Sequence, residues 1–525
     1  MKMNERIEQL MQRREQYRQM GGPERVERQH KRGKLDVRAR IDKLFDKGTF
    51  QEHGLLAGDR GLLASEMKTL APADGVVTGI GMVNGRPVAC AAYDFTVFGG
   101  SIGEIGERKV TRLREQALKR RIPMVWLIDS AGARINTDTM DPQHMSTSIS
   151  RFADTGYLFR EEVAMSGVIP LVSAMMGPGA AGTAYIPGLA DFVPMVKGTS
   201  SIAIGGPYLV EGVVGEKISE EDLGGSRIHT EVSGVADLEV PNDDECIDTV
   251  RQYLSYFPSH CMEKPPRITP VPPPEGAGEK LDKILPESSR QAYDMRKVIT
   301  NLVDGGRFLE IKPRWARNII TALARIDGWS VGIVANNPMH LGGILDVDSS
   351  DKAARFINLC DAYSIPLLFL ADVPGFMVGS KVEQQGIIRH GAKMLYAVAT
   401  ATVPKITVVV RKSYGAGYYV MCGRAYEPDL IVGWPTTEIA VMGAEGMVSI
   451  GAHKILEAAE NKAEMKKQLA ENIRPAIDPY RVAALAMIDD IIAPHETRAV
   501  VAHALATTVN KTVERPPRRR EITPV

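Results

Sequence analysis

At 525 residues, with 44% hydrophobic and 24% charged side chains, the chain is composed like an ordinary globular protein and is long enough for more than one core. Its 64 Lys and Arg balance 64 Asp and Glu, so no overall field recruits nucleic acid, and no apolar run reaches the length of a membrane insertion. The first ten residues lack the apolar stretch of a secretory signal, and five scattered cysteines without a CxxC fit reduced thiols in a cytoplasmic protein with no metal set.

Residues 2–20 place Ile7, Leu10 and Met11 among many charges, the pattern of an amphipathic surface helix that Gly21-Gly22-Pro23 would end. Val37, Ile41, Leu44 and Phe45 fall on one face of a second helix, closed by Gly48. From residue 74 short apolar runs begin. Val76–Val83 and Val88–Tyr93 predict a hairpin about Asn84-Gly85. The glycine-rich loop 94–103 leads into a helix through Arg121, and Met124–Ile128 reads as a buried strand ending at Asp129-Ser-Ala-Gly-Ala-Arg134. This alternation predicts an α/β fold with its site at the carboxyl ends of the strands.

Gly167–Met175 reads as the next buried strand. The stretch after it, Met176-Gly-Pro-Gly-Ala-Ala-Gly-Thr-Ala-Tyr185, turns through small residues toward a helix. Such a turn presents unpaired N–H groups that can hold a developing oxyanion with no side chain involved. A related stretch, Lys412–Met421, follows the run Pro404–Val410. Taken alone, each reads first as a tight turn. Between them, Lys264–Pro274 holds six prolines in eleven residues and marks a linker, 264–278, between domains 1–263 and 279–525.

The second half repeats the first, and that changes the reading of both turns. Leu44-x-Asp46-x-Gly48-x-Phe50-x-Glu52 recurs at Leu302–Glu310, an offset of 258. Val83-Asn84-Gly85, Gly99-Gly100 and Asp129 recur as Ile326-Asp327-Gly328, Gly342-Gly343 and Asp372, all 243 apart. The smaller offset implies extra residues in the first half around 55–72. Ala181-Gly182 and Ala416-Gly417 complete the series at 235. A duplicated domain with one prospective anion site per copy is the natural reading.

Several segments carry a family resemblance over almost the whole length: Gln29–Leu35, Asp94–Gly100, Asp129–Arg134, Leu223–His229, Asp372–Phe376, Gly386–Lys393 and Trp434–Gly443. The chain resembles the carboxyltransferase (beta) subunits of biotin-dependent acyl-CoA carboxylases, such as propionyl-CoA and methylcrotonyl-CoA carboxylase. The resemblance implies an α/β architecture of two tandem crotonase-like domains, assembled as a homo-hexamer in which the N-domain of one subunit faces the C-domain of another. Acyl-CoA would lie on the N-domain and biotin, as carboxybiotin carried by a partner protein, on the C-domain. Ala181 and Gly182 would hold the thioester oxygen; Ala416 and Gly417 would hold the ureido oxygen of biotin. Gly99-Gly100 and Gly342-Gly343 would supply second donors, Gly132-Ala133 would line the acyl-CoA side, and Pro374-Gly375 the biotin side. In the family scheme carboxybiotin releases carbon dioxide, the biotin anion takes the α-proton, and the acyl enolate attacks the carbon dioxide.

Two departures stand out. Ala181 replaces the first glycine of the usual pair, and Tyr419 occupies a position where propionyl-type enzymes often carry Asp and acetyl-type enzymes Ile. Tyr419 bears on acyl-chain choice, and the acyl group stays open. No segment resembles the biotin-carrying Ala-Met-Lys-Met, nor an ATP-binding loop, so a biotin carboxylase and biotin carboxyl carrier partner would use the ATP and deliver carboxybiotin. The carboxyltransferase of an acyl-CoA decarboxylase is the near alternative. A crotonase-type hydratase, with Glu104 and Glu107 as its acids, and an inactive assembly scaffold are the distant ones. His229, His340 and His390 read as structural, Met175-Met176 and Met442 as core, and Arg134 and Arg389 as either phosphate ligands or salt-bridge partners.

Overall fold

The computed structural model describes residues 2–58, 71–134, 156–289, 291–519 and 521–524. Most of the segment 55–72, where the repeat offset places the extra residues, lies outside them. The chain divides into two compact units, Met1–Glu263 and Lys264–Val525.

The first unit is built on strands β1 (Gln51–His53), β2 (Val76–Val83), β3 (Arg86–Tyr93), β4 (Met124–Ser130), β5 (Leu171–Ala180), β6 (Pro194–Val196), β7 (Ser201–Ala203) and β8 (Leu238–Val240). They form one sheet in the order β1-β2-β3-β4-β5-β6-β8, with β7 paired to β5. The hairpin is antiparallel about Asn84 and Gly85, both at positive φ as a primed turn requires. From β3 onward the pairs are parallel. Every residue from Met124 to Ile128 is fully buried, which is why that strand is a continuous apolar run without alternation.

The second unit repeats this plan. Its strands are β9 (Phe308–Ile311), β10 (Ile319–Ile326), β11 (Trp329–Asn336), β12 (Leu367–Val373), β13 (Lys405–Tyr414), β14 (Leu430–Gly433), β15 (Glu438–Ala440) and β16 (Asp490–Ile491). Their order is β9-β10-β11-β12-β13-β14-β16, with β15 paired to β13. The α/β duplication expected from the sequence is therefore present strand for strand. Lys109 and Lys352, 243 apart, even do the same job: Lys109 donates to the carbonyls of Ala73 and Val76, and Lys352 to four carbonyls between Lys312 and Ile319.

One irregularity shapes both sites. β4 and β5 stay in register up to Ile128↔Met175, then jump to Ser130↔Gly179. β12 and β13 do likewise, from Ala371↔Val409 to Val373↔Ser413. Each bulge re-aims the end of its strand, which then pairs with β7 or β15 instead.

The structure departs from the local expectations at prolines and glycines. Pro23 does not merely end the first helix (Met3–Arg18); it opens another, Pro23–Lys31, at a position where its missing N–H costs nothing. The helix Val37–Leu44 stops at Phe45, ahead of Gly48. Residues 167–170 are not strand, because Pro170 lacks a ladder donor; β5 begins at Leu171 and runs on through Met176-Gly-Pro-Gly to Ala180. Among the described residues no helix is long and apolar enough to cross a membrane.

Candidate active site

β5 hands over to the helix Gly182–Leu189 through Ala181, at φ 52° and ψ −119°. β13 hands over to the helix Ala416–Val420 through Gly415, at φ 55° and ψ −137°. Both turning residues spend their N–H on the neighbouring short strand: Ala181 donates to Ala203 O (3.1 Å) and Gly415 to Ala440 O (3.0 Å). The turns are therefore equivalent at an offset of 234, one less than the spacing of the two Ala-Gly pairs suggests. The Ala181 N–H is already taken by Ala203 O, and the equivalent of Ala181 is Gly415.

The amides that follow are free. Gly182 and Thr183 in the first unit, Ala416 and Gly417 in the second, are the first two helical residues and have no acceptor one turn back. Among the described residues none of the four donates to any other backbone acceptor. Each half thus carries a pair of adjacent N–H groups at a helix start, just past a bulged strand. The sequence points to Ala181-Gly182 and Ala416-Gly417; the amides without a backbone acceptor are those of Gly182-Thr183 and Ala416-Gly417.

The glycine pairs sit against these turns and divide their labour. Gly100 N–H donates to Val97 O (3.0 Å) and Gly343 N–H to His340 O (2.9 Å), so these two are used up closing their own turns. Gly99 and Gly342 have no backbone acceptor among the described residues and remain available. Ala131 N–H donates to Gly99 O (2.9 Å), and a Cβ on Gly132 would stand 2.6 Å from Ala180 O, which places the second turn beside the first. In the other unit Pro374 stands in Ala131's place without an N–H, and Gly375 Cα lies 3.3 Å from where a Gly417 Cβ would be. Ala133 and Phe376 form equivalent bridges, to Ile102 and Leu345. Tyr419, 47% exposed on the short helix, stacks on Tyr426 with centroids 6.1 Å apart.

Other candidates resolve into structure. Arg134 is ion-paired with Asp74, donates to Ser101 O (2.8 Å) and lies over the Phe98 ring, so it braces the loop. His229 is held by Ser233 Oγ and Ile202 O, both at 2.8 Å, and His390 by Asp351. Burial holds the His340 imidazole below its ordinary pKa. Met175 and Met176 are fully buried. Glu104 and Glu107 pair with Arg108 and Arg114, which engages the two acids a hydratase would need. Arg389 is exposed.

Sequence reasoning missed the buried charges beneath each turn. Asp129 accepts from Lys34 Nζ (2.7 Å), Arg40 Nη1 (2.9 Å) and Gln29 Nε2 (2.7 Å). Asp372 accepts from Tyr293 OH (2.9 Å) and Arg411 Nε (3.0 Å). Burial pushes the Asp372 carboxyl up against the pull of Arg411, and Lys34 down against the pull of Asp129. The signal available was an aspartate ending an apolar strand twice, 243 residues apart.

The carboxyl transferase domain model matches residues 28–523. The methylmalonyl-CoA decarboxylase subunit alpha of Veillonella parvula is 42% identical, with 98% of each chain covered. The methylmalonyl-CoA carboxyltransferase 12S subunit of Propionibacterium freudenreichii subsp. shermanii is also 42% identical, covering 98% of this chain and 97% of that one. The crystal structure of the transcarboxylase 12S hexamer with methylmalonyl-coenzyme A and methylmalonic acid bound superposes with a TM-score of 0.91, at 41% identity over 100% of this chain and 99% of that one. The chain therefore belongs to the carboxyl transferase family, the carboxyltransferases of biotin-dependent acyl-CoA carboxylases and their decarboxylase relatives.

Proposed function

We propose that Gly182 and Thr183, with Gly99, receive the thioester oxygen of an acyl-CoA, and that Ala416 and Gly417, with Gly342, receive the ureido oxygen of biotin. The overall reaction is carboxyl transfer between biotin and acyl-CoA. The observation that carries the assignment is the repetition: the same pair of free amides, after the same bulge, on two different local sequences. A site made only of N–H donors fits an oxygen that gains negative charge, as both carbonyls do when carboxyl moves.

Bound biotin supplies the carboxyl group and, once that group has left, the base for the α-proton. The chain's part is geometric and electrostatic. The Gly182 and Ala416 amides are fixed by the helix starts before substrate arrives, so no reorganisation is needed as charge develops. One such donor contributes on the order of 3 kcal/mol to the transition state. Tyr419, standing exposed beside the second pair, would bear on the acyl chain.

A partner biotin carboxylase and carrier would consume the ATP and present the carboxybiotin, and six chains would assemble as in the 12S hexamer. Five unbridged cysteines suit a cytoplasmic setting. The decarboxylase direction is an equal reading for this chain, since relatives of both kinds are 42% identical to it. Purification with the genomic neighbour separates the two.

Ala416→Pro tests the site cleanly. It deletes one N–H at a helix position that accepts proline, so kcat should fall on the order of 10²–10³-fold with the fold intact. Wild-type turnover in that variant would remove the assignment.

A further inference from the structure

Each unit buries one aspartate at the end of the strand beside its amide pair, and the chemistry above uses neither. Asp372 is 1% exposed and Asp129 fully buried. Besides Tyr293 and Arg411, Asp372 accepts from the Lys412 N–H (3.2 Å). Arg411 and Lys412 lie in the bulged part of β13, immediately upstream of the Ala416 and Gly417 amides. The Asp372 carbonyl faces the other way, onto the glycine turn: a Cβ on Gly343 would stand 2.7 Å from it. One residue therefore holds, by its side chain, the strand that delivers the first donors, while its carbonyl packs closely against the turn that carries Gly342.

Asp129 holds the same place with different partners. Its carbonyl abuts Gly100, and its side chain is bound by Lys34 and Arg40; Arg40 also donates to Met176 O (3.3 Å) on the β5 bulge. The cations come from the amino-terminal segment because the β5 residue matching Arg411 is Gly177, where any side chain would collide with Asp129 and Lys34. The position of the carboxylate is kept while its partners are rebuilt.

We propose that Asp372 is a positioning residue for the second amide pair, coupling its donors through Tyr293, Arg411 and the Gly343 turn, and that Asp129 serves the first pair likewise. This rests on reading the amide pairs as oxyanion sites. Charge-assisted bonds to a dehydrated carboxylate are strong and directional, which suits a part whose role is to hold still.

Tyr293→Phe removes one hydrogen bond to Asp372 and keeps the ring. In the full chain, decarboxylation of methylmalonyl-CoA with free biotin should show kcat reduced on the order of tenfold, KM for biotin within about twofold, and a melting temperature lowered by only a few degrees. If the tyrosine acts through the amides, the same substitution made on top of Ala416→Pro should cost less than about twofold. An unchanged kcat in Tyr293→Phe, or an equal loss in both backgrounds, overturns the positioning role. Wild-type activity in Ala416→Pro alone would instead bring down the oxyanion reading on which it stands.

Discussion

Ala181 and Gly415 hold the same backbone conformation, at φ 52° and φ 55°, at equivalent handovers from strand to helix, yet only one of them is glycine. The combination of positive φ with ψ near −120° penalises any side chain, and strain of this kind costs of order 1–3 kcal/mol.

Ala181→Gly should therefore raise stability by about 1 kcal/mol, part of it offset by the greater freedom of the unfolded chain. Thermal unfolding measures this. The methyl of Ala181 lies near Gly132, 3.4 Å from where its Cβ would be, so the substitution also opens that wall. A lower melting temperature would contradict the strain.

The two helix starts should respond unequally to alanine. Among the described residues a Cβ at Gly182 meets only Ile102 and Phe159, at 3.9 Å, so Gly182→Ala should leave stability and the N–H intact. A Cβ at Gly417 would come within 2.8 Å of Val373, so Gly417→Ala should cost about 1–3 kcal/mol and reduce turnover. Side-by-side melting curves and kcat values check the contrast.

Tyr419→Asp should change the order in which acyl-CoAs are turned over more than it changes stability, because the ring is half exposed and its contacts are the neighbouring Tyr418 and Tyr426. A panel from acetyl- to longer acyl-CoAs reads it. An unchanged order would take Tyr419 out of the acyl pocket.

Glu162 is fully buried on the helix Tyr157–Met165, with neither carboxyl oxygen hydrogen-bonded among the described residues. Burial raises its pKa well above the usual carboxyl value, so the folded chain keeps a proton that the unfolded chain releases. Its contribution to stability is full below the ordinary carboxyl pKa and is lost as pH rises toward the raised value. Glu162→Gln, which cannot ionise, should therefore melt higher than the native chain at about pH 8, with the gap closing toward about pH 4. A gap that widens toward acid would reverse the sign.

The duplication and the small-residue turns could be read from the sequence because each leaves a local trace, such as Asn84-Gly85 matched by Asp327-Gly328. Which amides stay free could not. Ala181 and Gly182 look alike as small residues, and only the pairing of β5 with β7 shows that one amide goes to Ala203 while the next stays free. The alternation Gly415-Ala416-Gly417 hid a one-residue error in the repeat for the same reason. The buried ion pairs were out of reach, since Lys34 and Asp129 lie 95 residues apart and meet only in the folded unit.

The central claim is that two main-chain cradles, one per unit, each hold a carbonyl oxygen. A crystal structure of the protein with acyl-CoA and biotin bound tests it most directly. The account predicts the thioester oxygen about 3 Å from the Gly182 N–H and the ureido oxygen about 3 Å from the Ala416 N–H. Either oxygen bound instead to side chains, with those amides facing solvent, would contradict it.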